Sequence, residues 1–168
     1  DLTSTSNNVA DLIKRTEGCA TVNGINYKDG ERDFTGLVAK IGDEYYATLQ
    51  AAVEAVQEGE TIILIDNVNV TTPAYGQNAL NHAKAVSFTL DLNGKTLSAN
   101  TGNSVFRFNI ANSGATSNVT LTIKNGTIER TGTVAGYAVN VVSGTLEVED
   151  VTIVGGLYTA GTSLVATN

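Results

Sequence analysis

The strongest constraint on this chain is that it repeats itself. Leu121–Ile128 reads LTIKNGTI, and Leu146–Ile153 reads LEVEDVTI. The same lag, from Leu121 to Leu146, also takes Gly136-Tyr-Ala-Val139 to Gly161-Thr-Ser-Leu164. A looser copy, Leu90-Asp-Leu-Asn-Gly-Lys-Thr-Leu97 followed by Gly102-Asn-Ser-Val105, runs ahead of the second at a somewhat longer lag, Leu90 recurring as Leu121 and Gly102 as Gly136. Apolar and polar residues alternate within the copies, and Asn-Gly marks a corner in the first two. A period of this length suits one turn of a parallel β-solenoid, in which no turn buries its apolar face alone and stacking supplies the core.

Composition agrees with an all-β chain. Only 16% of the 168 residues are charged and 17 are glycine, with Thr, Val and Asn taking up the difference, which is strand-rich usage. The formal net charge of −7, with ten Lys and Arg that never form a basic run, excludes electrostatic capture of nucleic acid or anionic lipid. The single cysteine, Cys19, rules out an internal disulfide framework and a multi-cysteine metal site. Aspartate at position 1 with no methionine anywhere reads as a processed or excised piece. No apolar run approaches the length of roughly 20 residues that spans a bilayer, so no membrane insertion is expected, and no signal peptide or lipidation motif is present.

Residues 1–36 are polar and turn-rich, with a short helical pattern over Val9–Arg15 and turn signals at Asn23-Gly24 and Asp29-Gly30; they read as a leader or hairpin. The second region, 37–168, opens with two short strands joined at Gly42-Asp43. An amphipathic helix over about 48–58 follows, with Thr48 as N-cap and Gly59 as its C-terminal stop. Its stripe is Leu49, Ala52, Val53 and Val56, at i, i+3, i+4 and i+7. Thr61–Ile65 is the first buried strand. Residues 66–85, which hold Pro73 and His82, show no clear period and read as a loop or an irregular first turn of the solenoid.

From Val86 the three copies predict inward columns of Leu90, Leu121 and Leu146; of Leu92, Ile123 and Val148; and of Leu97, Ile128 and Ile153. The third strand of each copy, aligned as Val105-Phe106-Arg107-Phe108 on Val139-Asn140-Val141-Val142, keeps its polar residues outside in neither parity, which predicts a bulge. The last turn is incomplete. Ser163–Ala166 is expected to stack on Ala138–Val141 with Leu164 uncovered, an edge suited to end-to-end self-association.

Ile41–Ile62, IGDEYYATLQAAVEAVQEGETI, followed by Leu90-Asp-Leu-Asn-Gly-Lys-Thr-Leu97, resembles the start of right-handed parallel β-helix modules of large bacterial cell-surface proteins, of the pectin-lyase-like superfamily. The resemblance covers 37–168. It implies a right-handed β-helix with a short N-terminal capping α-helix, at an extracellular or cell-surface location, and it is specific for fold rather than activity, since such modules serve as stalks, adhesive surfaces and occasionally enzymes.

Catalysis on polysaccharides needs paired acid and base groups at a defined separation. The outward columns expected here, Asp91, Thr122 and Glu147 beside Asn93, Lys124 and Glu149, mix charge types without pairing carboxylates. Alternation parts Asp150 from Glu147 and Glu149, which disfavours calcium. His82 has no second ligand or nucleophile at a recognisable spacing and reads as a loop histidine, Cys19 as an incidental thiol, and no glycine pattern cradles phosphate. No catalytic residue, metal or cofactor is assigned. Tyr137 and Tyr158, near Gly136 and Gly156, are the candidates for stacking on a glycan or host-surface ligand. The reading is a non-enzymatic structural or adhesive module; the alternatives are the N-terminal fragment of a polysaccharide lyase or glycoside hydrolase, and a carbohydrate-binding β-helix.

Overall fold

The computed structural model describes residues 19–22, 25–28, 31–71, 78–100, 103–109, 119–131, 136–160 and 163–167. These form two units, Asp1–Leu37 and Val38–Asn168. In the first, β1 (Cys19–Val22), β2 (Ile25–Lys28) and β3 (Glu31–Asp33) make an antiparallel sheet in the order β1-β2-β3. Register joins Val22 to Ile25 and Lys28 to Glu31, the two-residue spacing that an Asn-Gly or Asp-Gly turn closes. Both turns, the helical pattern at Val9–Arg15 and the Cys19 side chain lie outside what is described.

Among its described residues the second unit is strand-built with one short helix. β4 (Ala39–Ile41) and β5 (Glu44–Tyr46) form an antiparallel hairpin, closed at Gly42 with φ +55. Helix α1 (Leu49–Ala55) starts where the Thr48 hydroxyl accepts from the Ala51 N–H at 3.2 Å. Its stripe of Leu49, Ala52 and Val53, continued by the cap residue Val56, is buried throughout. The helix is shorter than its pattern: Val56 turns extended as the C-cap, and the Glu60 carboxylate accepts from the Gln57 N–H at 2.8 Å. Gly59, expected as the cap, instead takes φ +76 in the following turn.

Beyond the helix the pairing becomes parallel. β6 (Thr61–Leu64), β9 (Phe88–Asp91), β12 (Thr120–Arg130), β14 (Thr145–Val154) and β16 (Ser163–Thr167) lie side by side in that order, with β4 antiparallel against β6. β7 (Val68–Val70) and β10 (Thr96–Ala99) extend the same ladder against the second half of β12. A second parallel sheet orders β8 (Asn78–His82), β11 (Ser104–Asn109), β13 (Tyr137–Ser143) and β15 (Leu157–Thr159). Stretch 66–85 therefore contains two strands, β7 and β8, each paired parallel with the next turn, the irregular first turn rather than the loop of the two alternatives.

One inward column follows the expected register, running Val68, Leu97, Ile128, Ile153. The other two are displaced in their first member. Phe88 stands beside Leu121 and Leu146, and Leu90 beside Ile123 and Val148, with Ile62 at one end and Ala166 at the other. The cause is a longer corner in the first copy. More chain separates Leu90 from Leu97 than separates Ile123 from Ile128, so the lag shortens as the chain passes the corner. Leu92, assigned to a column, instead turns in at that corner and stays buried.

In the second sheet Phe106 pairs with Val139, Arg107 with Asn140 and Phe108 with Val141, one position off the sequence alignment, and the bulge falls between Phe108 and Asn109. β16 stacks on β14, not on β13 as the constant lag implied. Gly155 and Gly156, at φ +105 and +87, turn the chain early. Leu157–Thr159 therefore takes the place on β13, and the step from Leu146 to its partner Leu164 is shorter than the step from Leu121 to Leu146. Leu164 and Val165 on β16 are 45% and 48% exposed.

Candidate functional site

The outward columns of the first parallel sheet are Thr89, Thr122, Glu147 and Val165, then Asp91, Lys124, Glu149 and Thr167. Lys124 lies beside Glu149 as the register of the copies required, but its other neighbour is Asp91 rather than Asn93, and the ion pair it forms is with Asp91 at 3.7 Å. This pair is half-buried and contributes at most about 1 kcal/mol. Asp91 Oδ1 also accepts from the Asn93 N–H at 2.8 Å and from Asn125 Nδ2 at 3.1 Å, while Glu147 accepts from the Thr122 hydroxyl at 3.1 Å. Each carboxylate thus serves a neighbouring turn of chain. Asn93, Asn125 and Asp150 stand at the corners, all with φ between +51 and +60, a backbone that short Asx side chains tolerate. Among the described residues no three His, Cys, Asp or Glu side chains gather as a metal site would need.

His82 is not on a loop. It is 1% exposed in β8, in the inward column with Phe108, Val141 and Thr159. Its ring stacks on Phe108 (centroids 5.4 Å apart, 7° between planes) and leans on Phe88 at 4.7 Å. The signal for this placement was present: Ala79-Leu80-Asn81-His82 matches Val105-Phe106-Arg107-Phe108 in pattern, with the imidazole in an aromatic slot. Neither nitrogen makes a well-formed hydrogen bond. Burial lowers the pKa and nearby Lys84 adds to this, against the opposing pull of the Val53, Val86 and Lys84 carbonyls. Glu54, Lys84, Gln50 and Asn81 line a cleft of about 190 Å³ beside the ring.

The unfolded imidazole titrates near 6.5 and the folded one lower, so the unfolded state takes up a proton first. Stability should therefore be level above about pH 6.5 and fall as the pH drops below it. His82 is the chain's only histidine, so the melting temperature of the parent should decline as the pH is lowered from neutral through that point, while that of His82→Phe stays flat. A parallel decline in both would assign the effect to the carboxylates.

Tyr137 and Tyr158 come together. They project from β13 and β15, 38% and 42% exposed, with ring centroids 5.0 Å apart and planes at 35°. Both are the stacking candidates of the sequence, and the early turn at Gly155-Gly156 is what brings them side by side. Tyr158 is also the register partner of Asn140, and Asn140 of Arg107, and Arg107 of Asn81. These four residues form one outward column across the second sheet. Arg107 Nη1 donates to Asn81 Oδ1 at 3.3 Å, and with the Asn109 amide turned end for end, the orientation its neighbours favour, its oxygen accepts from Nη2 at 2.7 Å and Nη1 at 3.1 Å. The edge of β8 is closed by a side chain: Gln50 donates from Nε2 to the Asn81 carbonyl and accepts from the Asn81 N–H, both at 3.1 Å.

With this geometry in hand, comparison with protein-family models, with curated proteins and with solved structures finds no match. Among the described residues no helix is long and apolar enough to cross a membrane.

Proposed function

We propose that residues 37–168 are a right-handed parallel β-helix of the pectin-lyase-like kind, serving as a non-enzymatic structural or adhesive module of an extracellular, cell-surface protein. The observation that carries this reading is the continuous register. Ile62, Leu90, Ile123 and Val148, all buried, form one unbroken inward column through four strands, and the register continues to the exposed Ala166 on a fifth. Leu80, Phe106, Val139 and Leu157 form a second, in the other sheet. A stack of this kind is stabilised by neighbour-to-neighbour contacts and makes a stiff spacer with long display faces. Among the described residues β16 pairs with β14 alone, and such an edge favours association between copies. Sedimentation that finds only monomers at high concentration would remove that part of the proposal.

The tests of a non-enzymatic role are unsaturated-product absorbance and reducing-sugar release on pectins, alginates and glycosaminoglycans, with and without calcium. The expected result is none. Turnover abolished by Asp91→Asn or Glu147→Gln would favour the lyase or hydrolase alternative. A second reading, carbohydrate binding, is favoured by one observation: the tyrosine rings are exposed and adjacent, the arrangement that stacks on a sugar ring.

A further inference from the structure

We infer that the outward face of the second sheet is a binding strip for a neutral, hydroxyl-rich polysaccharide, lying across the strands from the Tyr137–Tyr158 pair over Asn140 and Arg107 to Asn81. The inference rests on the reading of those tyrosines as sugar-stacking and extends it to a ligand class, a direction and polar contacts. Tyr158, Asn140, Arg107 and Asn81 occupy four adjacent strands, so at about 4.8 Å per strand the strip is about 14 Å long. That accommodates a chain rather than a single small molecule.

The chemistry along the strip fits hydroxyl groups. At one end two rings offer apolar faces with polar tips. Next to them the Asn140 amide has its Oδ1 shielded from solvent without a hydrogen-bond donor, so a side chain turned outward to a ligand O–H would recover a bond it lacks. Arg107 follows, its guanidinium held by two amide oxygens rather than a carboxylate. A guanidinium has five N–H donors, and the two acceptors leave it capacity to donate to ligand hydroxyl oxygens from a fixed position. Asn81 is fixed in turn, its backbone bound by Gln50 on both sides. Arg107 and Asn81 are therefore pre-organised, which lowers the ordering cost of binding at that end of the strip. Its one cation stands in a chain of net charge −7, so a polyanion would be repelled by the rest of the molecule. The ligand class is therefore neutral.

Affinity electrophoresis of the full chain through gels containing hydroxyethylcellulose, xylan or galactomannan tests this, with polygalacturonate as the acidic comparison. At least one neutral polymer should retard the protein, and polygalacturonate should not. Tyr158→Ala, Arg107→Ala and Asn140→Ala should each weaken retardation about three- to tenfold, the worth of a hydrogen bond or ring contact, with melting temperatures reporting that each variant is folded. Should Arg107→Ala or Asn140→Ala prove unfolded, Arg107→Lys and Asn140→Ser replace them in the same comparison. Retardation lost in Tyr158→Ala but unchanged in the Arg107 and Asn140 variants would overturn the strip while leaving tyrosine stacking intact. Retardation by no neutral polymer, or by polygalacturonate alone, would overturn both.

Discussion

Val53→Asp should yield no soluble protein with a cooperative melt. Val53 is buried in the stripe that α1 lays against the core, between Leu49, Ala52 and Val56, and His82 sits across the same contact region with its ring closed off from water. A carboxylate there would have to leave water among Leu49, Ala52 and Val56, and keeping it charged costs several kcal/mol. A domain of this size is stable by about 5–15 kcal/mol, so the substitution consumes most of that. Leu49→Ala, which only opens a cavity, should cost less, about 2–5 kcal/mol. Glu54→Ala on the exposed face of the same helix should melt close to the parent. Soluble yield and thermal circular dichroism of the three variants order these effects. Val53→Asp melting within a few degrees of the parent would mean that the burial of this stripe of α1 contributes little to the stability of the core.

The features read correctly from sequence are those where one local rule acts alone. Thr48 and its apolar stripe specify α1, and Gly42-Asp43 specifies the β4–β5 turn, because caps and tight turns are short-range. The lag from Leu121 to Leu146 gives the pairing of β12 with β14 position for position, since no insertion separates the two copies. What failed was the assumption that a lag, once found, is constant. Each turn of this chain has its own corner: a longer path between Leu90 and Leu97, a bulge after Phe108 and a shortened return at Gly155-Gly156. In a strand a one-residue slip changes the face of every side chain, so each irregularity displaced a column. The strip of Asn81, Arg107, Asn140 and Tyr158 was hidden for this reason, as its members recur at three unequal spacings along the chain. For His82 the strand pattern was present in its neighbours, and only the residue's own chemistry obscured it. A polar residue that fills an aromatic slot gives no hydrophobic signal, although its ring area packs as one.

Those corners also set where the repeat tolerates change, and Gly126 is the sharpest case. The copies align Gly126 with Val151, so by consensus alone a side chain at 126 should be harmless or even helpful to a strand. The structure argues the opposite. A Cβ at Gly126 would stand 2.5 Å from Leu92 Cβ and 2.6 Å from the Lys95 carbonyl oxygen, because the longer corner of the preceding copy folds into the space that glycine leaves. That corner cannot easily withdraw. The Leu92 N–H donates to the Lys124 carbonyl at 2.8 Å, the Gly94 N–H to the Asn125 carbonyl at 2.7 Å, and the Lys95 carbonyl accepts from the Thr127 N–H at 3.1 Å, so bonds on either side of the glycine bind the two turns together. Gly126→Ala should therefore lower stability by about 1–3 kcal/mol, and Gly126→Val by more. Gly94 separates sterics from backbone strain: it has φ +73 but nothing within 4 Å of a Cβ, so Gly94→Ala should cost only the left-handed penalty of about 1–2 kcal/mol. Thermal or urea unfolding of the three variants checks the order. If Gly126→Val proves as stable as the parent, the Leu92–Lys95 corner yields freely, and its extra length would then be slack in the chain rather than the element that fixes the register between β9 and β12.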